Sequence, residues 1–382
     1  MTRPIISMVA GETSGDMLAA RLLSGLRPQL PTSLMHGIGG QQMAEYGFVS
    51  DFPIEKLSVR GLFEVLMHYR EISGIRNNLK QQLLLEKPDV FIGVDAPDFN
   101  LDLEIALKQA GIPTMHYISP SIWAWRGGRI KKIAEAVSHM LLIFPFEEEI
   151  YRRAGIPSTY VGHPLAQVIP LEPDVAAARE ELGLEADARV LTVMPGSRMS
   201  ELKYNTEAFI QTAKLLLKRD PHLQILVPMA GAKQRAYYID LVLKAGLEDV
   251  SVLLMDGKSH TAIAAADAVL VASGTASLEV ALFKKPMVIA YKMMAASWHV
   301  LKHMGYQPWV GLPNILAEEF VVPEFLQHAA TPTAMADALW QQLSDDALRN
   351  RLTQTFTEMH HSLLRDTAQL ASDAVLRVID HS

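Results

Sequence analysis

The chain has 382 residues, 49% of them hydrophobic and 20% charged, a composition that excludes a disordered protein and a length that predicts two domains of ordinary size. Its net charge of -7 argues against a nucleic-acid partner, which would need a basic face, and the absence of cysteine excludes disulfides, thiolate metal ligands and cysteine nucleophiles together. No window approaches the roughly 18 apolar residues of a membrane span, and the apolar start is too short for a secretory leader, so a soluble protein, or one touching a membrane from outside, is expected.

Residues 4–10 read as a buried strand, and Gly11-Glu12-Thr13-Ser14-Gly15-Asp16 as the loop opening a helix near Met17. His36-Gly37-Ile38-Gly39-Gly40 reads as a second glycine-rich turn before helix-like sequence. Further strands are predicted at 88–94, 112–118 and 137–144. The first ends at Asp95-Ala96-Pro97-Asp98, with a helix over 101–110 behind it. The second runs into a loop carrying Trp123, Trp125, Arg126 and Arg129, and the third ends at Pro145-Phe146-Glu147. Strands alternating with helices indicate a parallel, doubly wound sheet with helices on both faces.

Residues 162–173 are proline-rich and without periodicity, which puts the domain junction there. The first domain is expected over 1–166 and the second over 167–344. In the second, strands are predicted at 189–194, 223–228, 251–255, 267–271 and 286–291, with helices over 207–218 and 234–244 among them. The tail 331–380 reads as helical throughout, and the helices from about 345 to 382 are expected to pack back on the first domain. The fold class is α/β, with two Rossmann-like domains facing a central cleft and C-terminal helices.

Ligands of open α/β sheets sit beyond the carboxyl ends of the strands, so those ends carry the candidates. Residues 268–271 form an apolar strand, Ser273-Gly274-Thr275 breaks it, and 276–283 is helix-forming. A strand, a tight glycine turn and a helix start leave backbone N–H groups free for a phosphate. Glu279 falls one helical turn later, at the reach of a ribose diol. The plain alternative is that Ser273 and Thr275 cap the helix and Glu279 is solvated. The same domain also offers Ser197 and Arg198 after Pro195-Gly196, Gly257 after Asp256, and Asn314 in Leu312-Pro313-Asn314, together a diphosphate cradle. The first domain offers Glu12, Asp95, Asp98 and His116, of which His116 reads as a buried, hydrogen-bonded histidine.

The set Ala10-Gly11-Glu12-Thr13-Ser14-Gly15-Asp16, Asp95-Ala96-Pro97-Asp98-Phe99-Asn100, the run from His116 to Arg126, Pro195-Gly196-Ser197-Arg198, the run from Ser273 to Glu279, and Leu312-Pro313-Asn314-Ile315-Leu316 resembles the lipid A disaccharide synthase family in order and spacing over nearly the whole chain. The resemblance implies a GT-B glycosyltransferase that joins UDP-2,3-diacylglucosamine to 2,3-diacylglucosamine 1-phosphate through a β-1,6 bond, with inversion, releasing UDP without a metal or other cofactor. It implies a cytoplasmic protein peripherally associated with the inner membrane, and leaves a homodimer open. Asp95 is then the candidate base, with Asp98 and Glu12 as rivals, and Arg198 the candidate partner of the leaving diphosphate. Helix capping for Asp95, a cap that Asn100 would make better, and a surface salt bridge of Arg198 with Glu201 are the alternatives. Ser197, Gly257, Ser273, Gly274, Thr275, Glu279 and Asn314 fall on the UDP-sugar side. Glu12, Ser14, Asp98, Trp123, Arg126 and Arg129 fall on the acceptor side. Other readings are another GT-B sugar-nucleotide enzyme, such as a UDP-N-acetylglucosamine 2-epimerase or a peptidoglycan-type transferase, and a non-catalytic UDP-sugar or lipid-binding module. Lys292, where the family leads one to expect arginine, and the segment 305–311 depart from its pattern.

Acylated substrates require a membrane-facing or lipid-holding surface. Residues 57–76 carry apolar side chains, among them Leu62, Phe63, Leu66, Met67 and Tyr69, over too much of a helix for one stripe, with Arg60, Arg70 and Arg76 interleaved. Membrane contact and packing against the first sheet are both open for this stretch, and the resemblance favours the membrane.

Overall fold

The computed structural model describes residues 3–57, 62–123, 127–294 and 308–381, with the side chains of Thr13 and of 62–69 outside that description. The chain divides into two compact units, Met1–Pro164 with Ser362–Ser382, and Leu165–His361.

The first unit holds seven parallel strands: β1 (Ile5–Ala10), β2 (Leu34–Gly39), β3 (Val49–Pro53), β4 (Val90–Val94), β5 (Thr114–Tyr117), β6 (His139–Leu142) and β7 (Ser158–Tyr160). Their order is β3-β2-β1-β4-β5-β6-β7. The central strands are buried along nearly their whole length, as expected where helices cover both faces of a parallel sheet. His36 to Gly39 is part of β2 and not a turn, because Gly37 admits the Met8 carbonyl where a Cβ would stand 2.1 Å from it. Three strands, β2 and the edge strands β3 and β7, are additional to the four expected.

The second unit repeats the plan with β8 (Val190–Met194), β9 (Gln224–Met229), β10 (Leu253–Asp256), β11 (Ala268–Ala272), β12 (Met287–Tyr291) and the unforeseen edge strand β13 (Glu324–Leu326). All pair in parallel, in the order β10-β9-β8-β11-β12-β13. Its core is built from the inward faces of these strands and of the helices Met199–Arg219 and Pro332–Ser344, around Phe209, Leu216, Leu270 and Leu339.

The chain returns to the first unit at Ser362, later than the expected position near 345. The helix Asp346–Leu363 stays with the second unit through His361 because His360 is buried there, its Nε2 2.8 Å from the Ala166 carbonyl and its Nδ1 2.6 Å from Lys284 Nζ. The last helix, Thr367–Asp380, packs on the helix Thr13–Gln29 so closely that a Cβ at Gly25 would stand 2.3 Å from the Ala368 carbonyl.

Among the described residues no helix is long and apolar enough to cross a membrane. Leu62, Phe63, Leu66, Met67 and Tyr69 begin the helix Leu62–Glu86, but their side chains lie outside the described residues. Further along that stretch the packing alternative holds: Ile72 and Ile75 rest on the core formed by Leu79, Leu83 and Phe91.

Candidate active site

Each sheet has one place where its strand order reverses, between β1 and β4 in the first unit and between β8 and β11 in the second. There the connecting helices depart to opposite faces and leave a crevice beyond the strand ends. Register fixes what lies in it. Ala10 pairs with Val94, so Gly11 and Asp95 follow side by side, and Met194 pairs with Val271, so Pro195 stands beside Ala272.

In the second unit this crevice is a cavity of about 530 Å³, within the size range of small-molecule sites. Ser197, Arg198, Gly257, Ser273, Gly274, Thr275 and Glu279 all line it. Gly274 takes a φ of 152° as N-cap of the helix Thr275–Leu282, which has no side-chain cap. Ser273 Oγ instead lies 3.4 Å from the Val310 carbonyl, so the capping alternative for Ser273 and Thr275 does not apply and the first N–H groups of the helix are left for a ligand. Glu279 holds its carboxylate at the cavity wall, 20% exposed, with Oε2 3.3 Å from His260 Nε2.

The loop after β8 is fastened from below. Glu201 Oε2 accepts from the Ser197 and Arg198 N–H groups at 3.0 and 3.1 Å, which leaves the Ser197 hydroxyl and the Arg198 guanidinium, not those amides, to meet an anion. Gly196 makes the fastening possible: a Cβ there would stand 2.3 Å from Glu201 Cβ, at a φ of 129°. The alternative salt bridge of Arg198 with Glu201 is present but long, 3.7 Å, with the guanidinium 80% exposed. Arg198 is thus steered by Glu201 and still open to the cavity.

Asn314 is not at the cavity. It is fully buried, donates to the Val322 carbonyl at 2.9 Å and to Glu324 Oε1 at 2.7 Å, and accepts from the Val321 and Val322 N–H groups. Every polar position of its amide is used in fastening the segment before β13, which leaves nothing for a donor. Three residues that do serve the site escaped the sequence reading. Tyr291, the last residue of β12, lines the cavity, and burial pushes its phenol above the ordinary range. His260 touches Glu279. Asn205 ties two strand ends together, donating to the Pro195 carbonyl at 3.1 Å and accepting from the Lys292 N–H at 2.9 Å. The departure at Lys292 therefore leaves this tie intact, because it uses only the backbone. Position at a strand end could have flagged Tyr291; nothing local flags the other two.

In the first unit the crevice is strained and acidic. Asp95 and Ala96 both take left-handed backbone, with φ of 52° and 43°. For alanine that conformation is costly. Gly11 admits the turn, since a Cβ there would stand 2.6 Å from Ala96 Cβ. Asn100, fully buried, donates from Nδ2 to the Asp95 carbonyl at 2.8 Å. It sits inside the helix Pro97–Gln109, whose N-cap is Ala96, so neither Asn100 nor Asp95 caps that helix. The Asp95 carboxylate makes no hydrogen bond or ion pair among the described residues. Beneath the turn lies the fully buried pair of His116 Nδ1 and Glu104 Oε1 at 2.6 Å, in space that Gly93 vacates. Burial drives the Glu104 carboxyl above its ordinary range, with His116 opposing. The expectation of a buried, hydrogen-bonded His116 holds.

Glu12 is the N-cap residue of the helix Thr13–Gln29, and Ser14 is exposed on its first turn. Asp98 is paired with Arg129 through Nη2. Arg76 donates to the Asp98 carbonyl and pairs with Asp102, which also meets Lys132 at 2.6 Å. Trp123 packs edge-on to Phe144 and Phe146, with centroids at 6.2 and 5.3 Å. Arg126 and Trp125 lie outside the described residues.

Comparison with known proteins narrows the chemistry. A family model described as lipid-A-disaccharide synthetase matches residues 6–375. A lipid-A-disaccharide synthase of Paraburkholderia phymatum is 54% identical over 381 residues, 99% of this chain and 97% of the relative. That of Azoarcus sp. is 51% identical over 379 residues, with the same coverage of 99% and 97%. Among solved structures, the UDP-GlcNAc 2-epimerase of Neisseria meningitidis bound to UDP-GlcNAc superposes with a TM-score of 0.61 at 11% identity, over the whole of both chains. MurG of Acinetobacter baumannii does so with a TM-score of 0.56 at 16% identity, again over both whole chains. At such identities the likeness is one of fold, the GT-B arrangement of two Rossmann-like domains.

Proposed function

The chain belongs to the lipid-A-disaccharide synthetase family and is a glycosyltransferase of lipid A disaccharide formation, and from that premise we propose how its residues divide the work. The donor is UDP-2,3-diacylglucosamine and the acceptor 2,3-diacylglucosamine 1-phosphate. The acceptor 6-hydroxyl oxygen attacks the anomeric carbon of the donor from the face opposite the diphosphate. As that C–O bond forms, the bond from the anomeric carbon to the β-phosphate oxygen breaks, UDP departs with the electron pair, and the hydroxyl proton passes to Asp95. A carboxylate is a weak base towards an alcohol, but the proton becomes acidic as oxocarbenium character develops in the transition state.

Asp95 suits this role because its strained turn is braced from behind by Asn100 while its carboxylate carries no described partner. In the second unit Glu279 takes the ribose diol, and Arg198, Ser197 and the opening N–H groups of the helix Thr275–Leu282 take the diphosphate. The observation that carries this assignment is that one cavity gathers all of these groups at the reversal of the strand order. Gly257, Ser273 and Gly274 complete its wall, and Asn314 acts at a distance by fastening the segment that follows it. Glu12, Ser14, Asp98, Trp123 and Arg129, with Arg126, form the acceptor side, where Arg129 exchanges Asp98 for the acceptor phosphate.

In this reading the surface that meets the acyl chains is the start of the helix Leu62–Glu86, at Leu62, Phe63, Leu66, Met67 and Tyr69, with the protein on the cytoplasmic face of the inner membrane. Serine at Leu62, Phe63, Leu66 and Met67 is expected to abolish co-sedimentation with anionic vesicles while the fold survives; unfolding would identify these residues as core. The decisive assay is incubation with donor and acceptor in detergent. Equal release of UDP and disaccharide 1-phosphate is expected, and UDP release without disaccharide would overturn the assignment.

A further inference from the structure

We propose that His260 is a positioning residue for nucleotide recognition: it holds one carboxylate oxygen of Glu279 so that the other is presented to the ribose. The inference deepens the reading of Glu279 given above and rests on it. Its ground is the turn after β10, where Gly257 and Lys258 take consecutive left-handed conformations, with φ of 66° and 54°, and start the helix Ser259–Ala265. That turn brings Gly257 and Ser259 into the cavity wall and sets His260 beside Glu279, from a different strand end. Nε2 stands 3.3 Å from Glu279 Oε2. The ring is kept from turning by the buried Phe283, against which it lies edge-on with centroids 5.3 Å apart and planes at 61°.

A diol is read well only by a carboxylate whose plane is set in advance, because an acceptor free to rotate must be ordered at the moment of binding. Glu279 alone on a helix would have that freedom. An imidazole 3.3 Å from Oε2 restricts it, and carries a hydrogen on Nε2 both as the Nε2–H tautomer and as the imidazolium. The pair is too exposed to matter for folding, with side chains 42% and 20% accessible. Its consequence belongs on the ligand.

The test is calorimetric binding of UDP and of 2′-deoxy-UDP to the full chain and to His260→Ala, His260→Gln and Glu279→Ala. The parent should prefer UDP by about tenfold or more, the effect of losing a hydrogen bond to a charged group. Glu279→Ala should erase the preference. His260→Ala should lower it to about twofold by weakening UDP alone, with 2′-deoxy-UDP binding and the melting temperature unchanged. His260→Gln, whose amide N–H can reach the same oxygen, should restore most of it. If His260→Ala keeps the full preference while Glu279→Ala loses it, His260 has no such role and the ribose reading stands. If Glu279→Ala keeps it, the ribose reading fails and this inference with it. Equal weakening of both nucleotides by His260→Ala would mean general damage to the cavity and would also overturn it.

Discussion

In the first unit the turn beyond β4 runs through two left-handed residues that carry side chains, Asp95 and Ala96, while in the second the turns beyond β8 and β11 run through Gly196 and Gly274. Both units use the same topology and the same reversal of strand order, yet one crevice is braced and the other is emptied. Behind Asp95 stand Asn100, bonded to its carbonyl, and the paired Glu104 and His116, all buried. Around Gly274 the wall is made of glycines, hydroxyls and an exposed guanidinium. Under the proposed roles, the difference teaches that a group acting on a proton is held still at the expense of strain, whereas a nucleotide is accommodated by removing side chains.

The largest effect should come from the braced side. Asp95→Asn keeps a residue tolerant of positive φ but removes the proton acceptor, so turnover should fall by about 10²–10⁴-fold, the scale of general-base catalysis. UDP affinity, set in the other unit, should stay within a few-fold. Asp95→Ala should lose as much activity and somewhat more stability, because alanine bears the left-handed turn less well. A fully active Asp95→Asn enzyme would break the comparison at its root. Next comes the emptied side, where Arg198→Ala should lower kcat by about 10²–10³-fold, as expected for removal of one donor to a developing charge. The melting temperature should hardly move, since the only described ion pair of Arg198 is exposed and 3.7 Å long. Arg198→Lys should recover little, because a point charge replaces the planar fork. Full recovery by lysine would show that charge alone is needed.

The emptied site was more legible in the sequence than the braced one, for a physical reason. Its residues follow one another locally: an apolar strand, a glycine and a helix start announce the proposed phosphate site within ten residues, and Glu279 follows by helical spacing. The brace is assembled across the fold, with Gly11, Gly93, Asn100, Glu104 and His116 meeting only when β1, β4 and β5 pair, so of these only the burial of His116 was foreseen. Asn314 failed in the opposite sense. A polar residue near a strand end read as ligand-facing, but its partners Val322 and Glu324 lie eight and ten residues on, just before and at the start of a strand too short to detect. Apart from β2, whose glycines read as a turn, the long central strands were visible as apolar runs. The edge strands β3, β7 and β13 were not, since none presents a single fully buried residue.

The smallest effect expected is on stability, and it asks whether the first unit holds other carboxyls as deliberately as Asp95. Glu147 lies just beyond β6, almost fully buried, where Oε2 accepts the Phe144 N–H at 3.1 Å. Burial pushes its carboxyl up to about 7, against the stabilising pull of the Phe144 N–H and of Ser119 and Trp123. A folded-state value raised above the unfolded one means the fold retains a proton that the unfolded chain has released. The stability this contributes is fully present below the ordinary glutamate range, near 4.5, and is lost as pH rises to about 7. The loss amounts to something on the order of 3 kcal/mol across that window. Glu147→Gln has no proton to lose, so its unfolding free energy, measured in urea from pH 4.5 to 8, should not share this decline. The two proteins should differ most above pH 7, with the glutamine variant the more stable. Parallel pH profiles would show that Glu147 ionises as an ordinary surface acid does, and the contrast between a braced and an emptied crevice would then narrow to Asp95 alone.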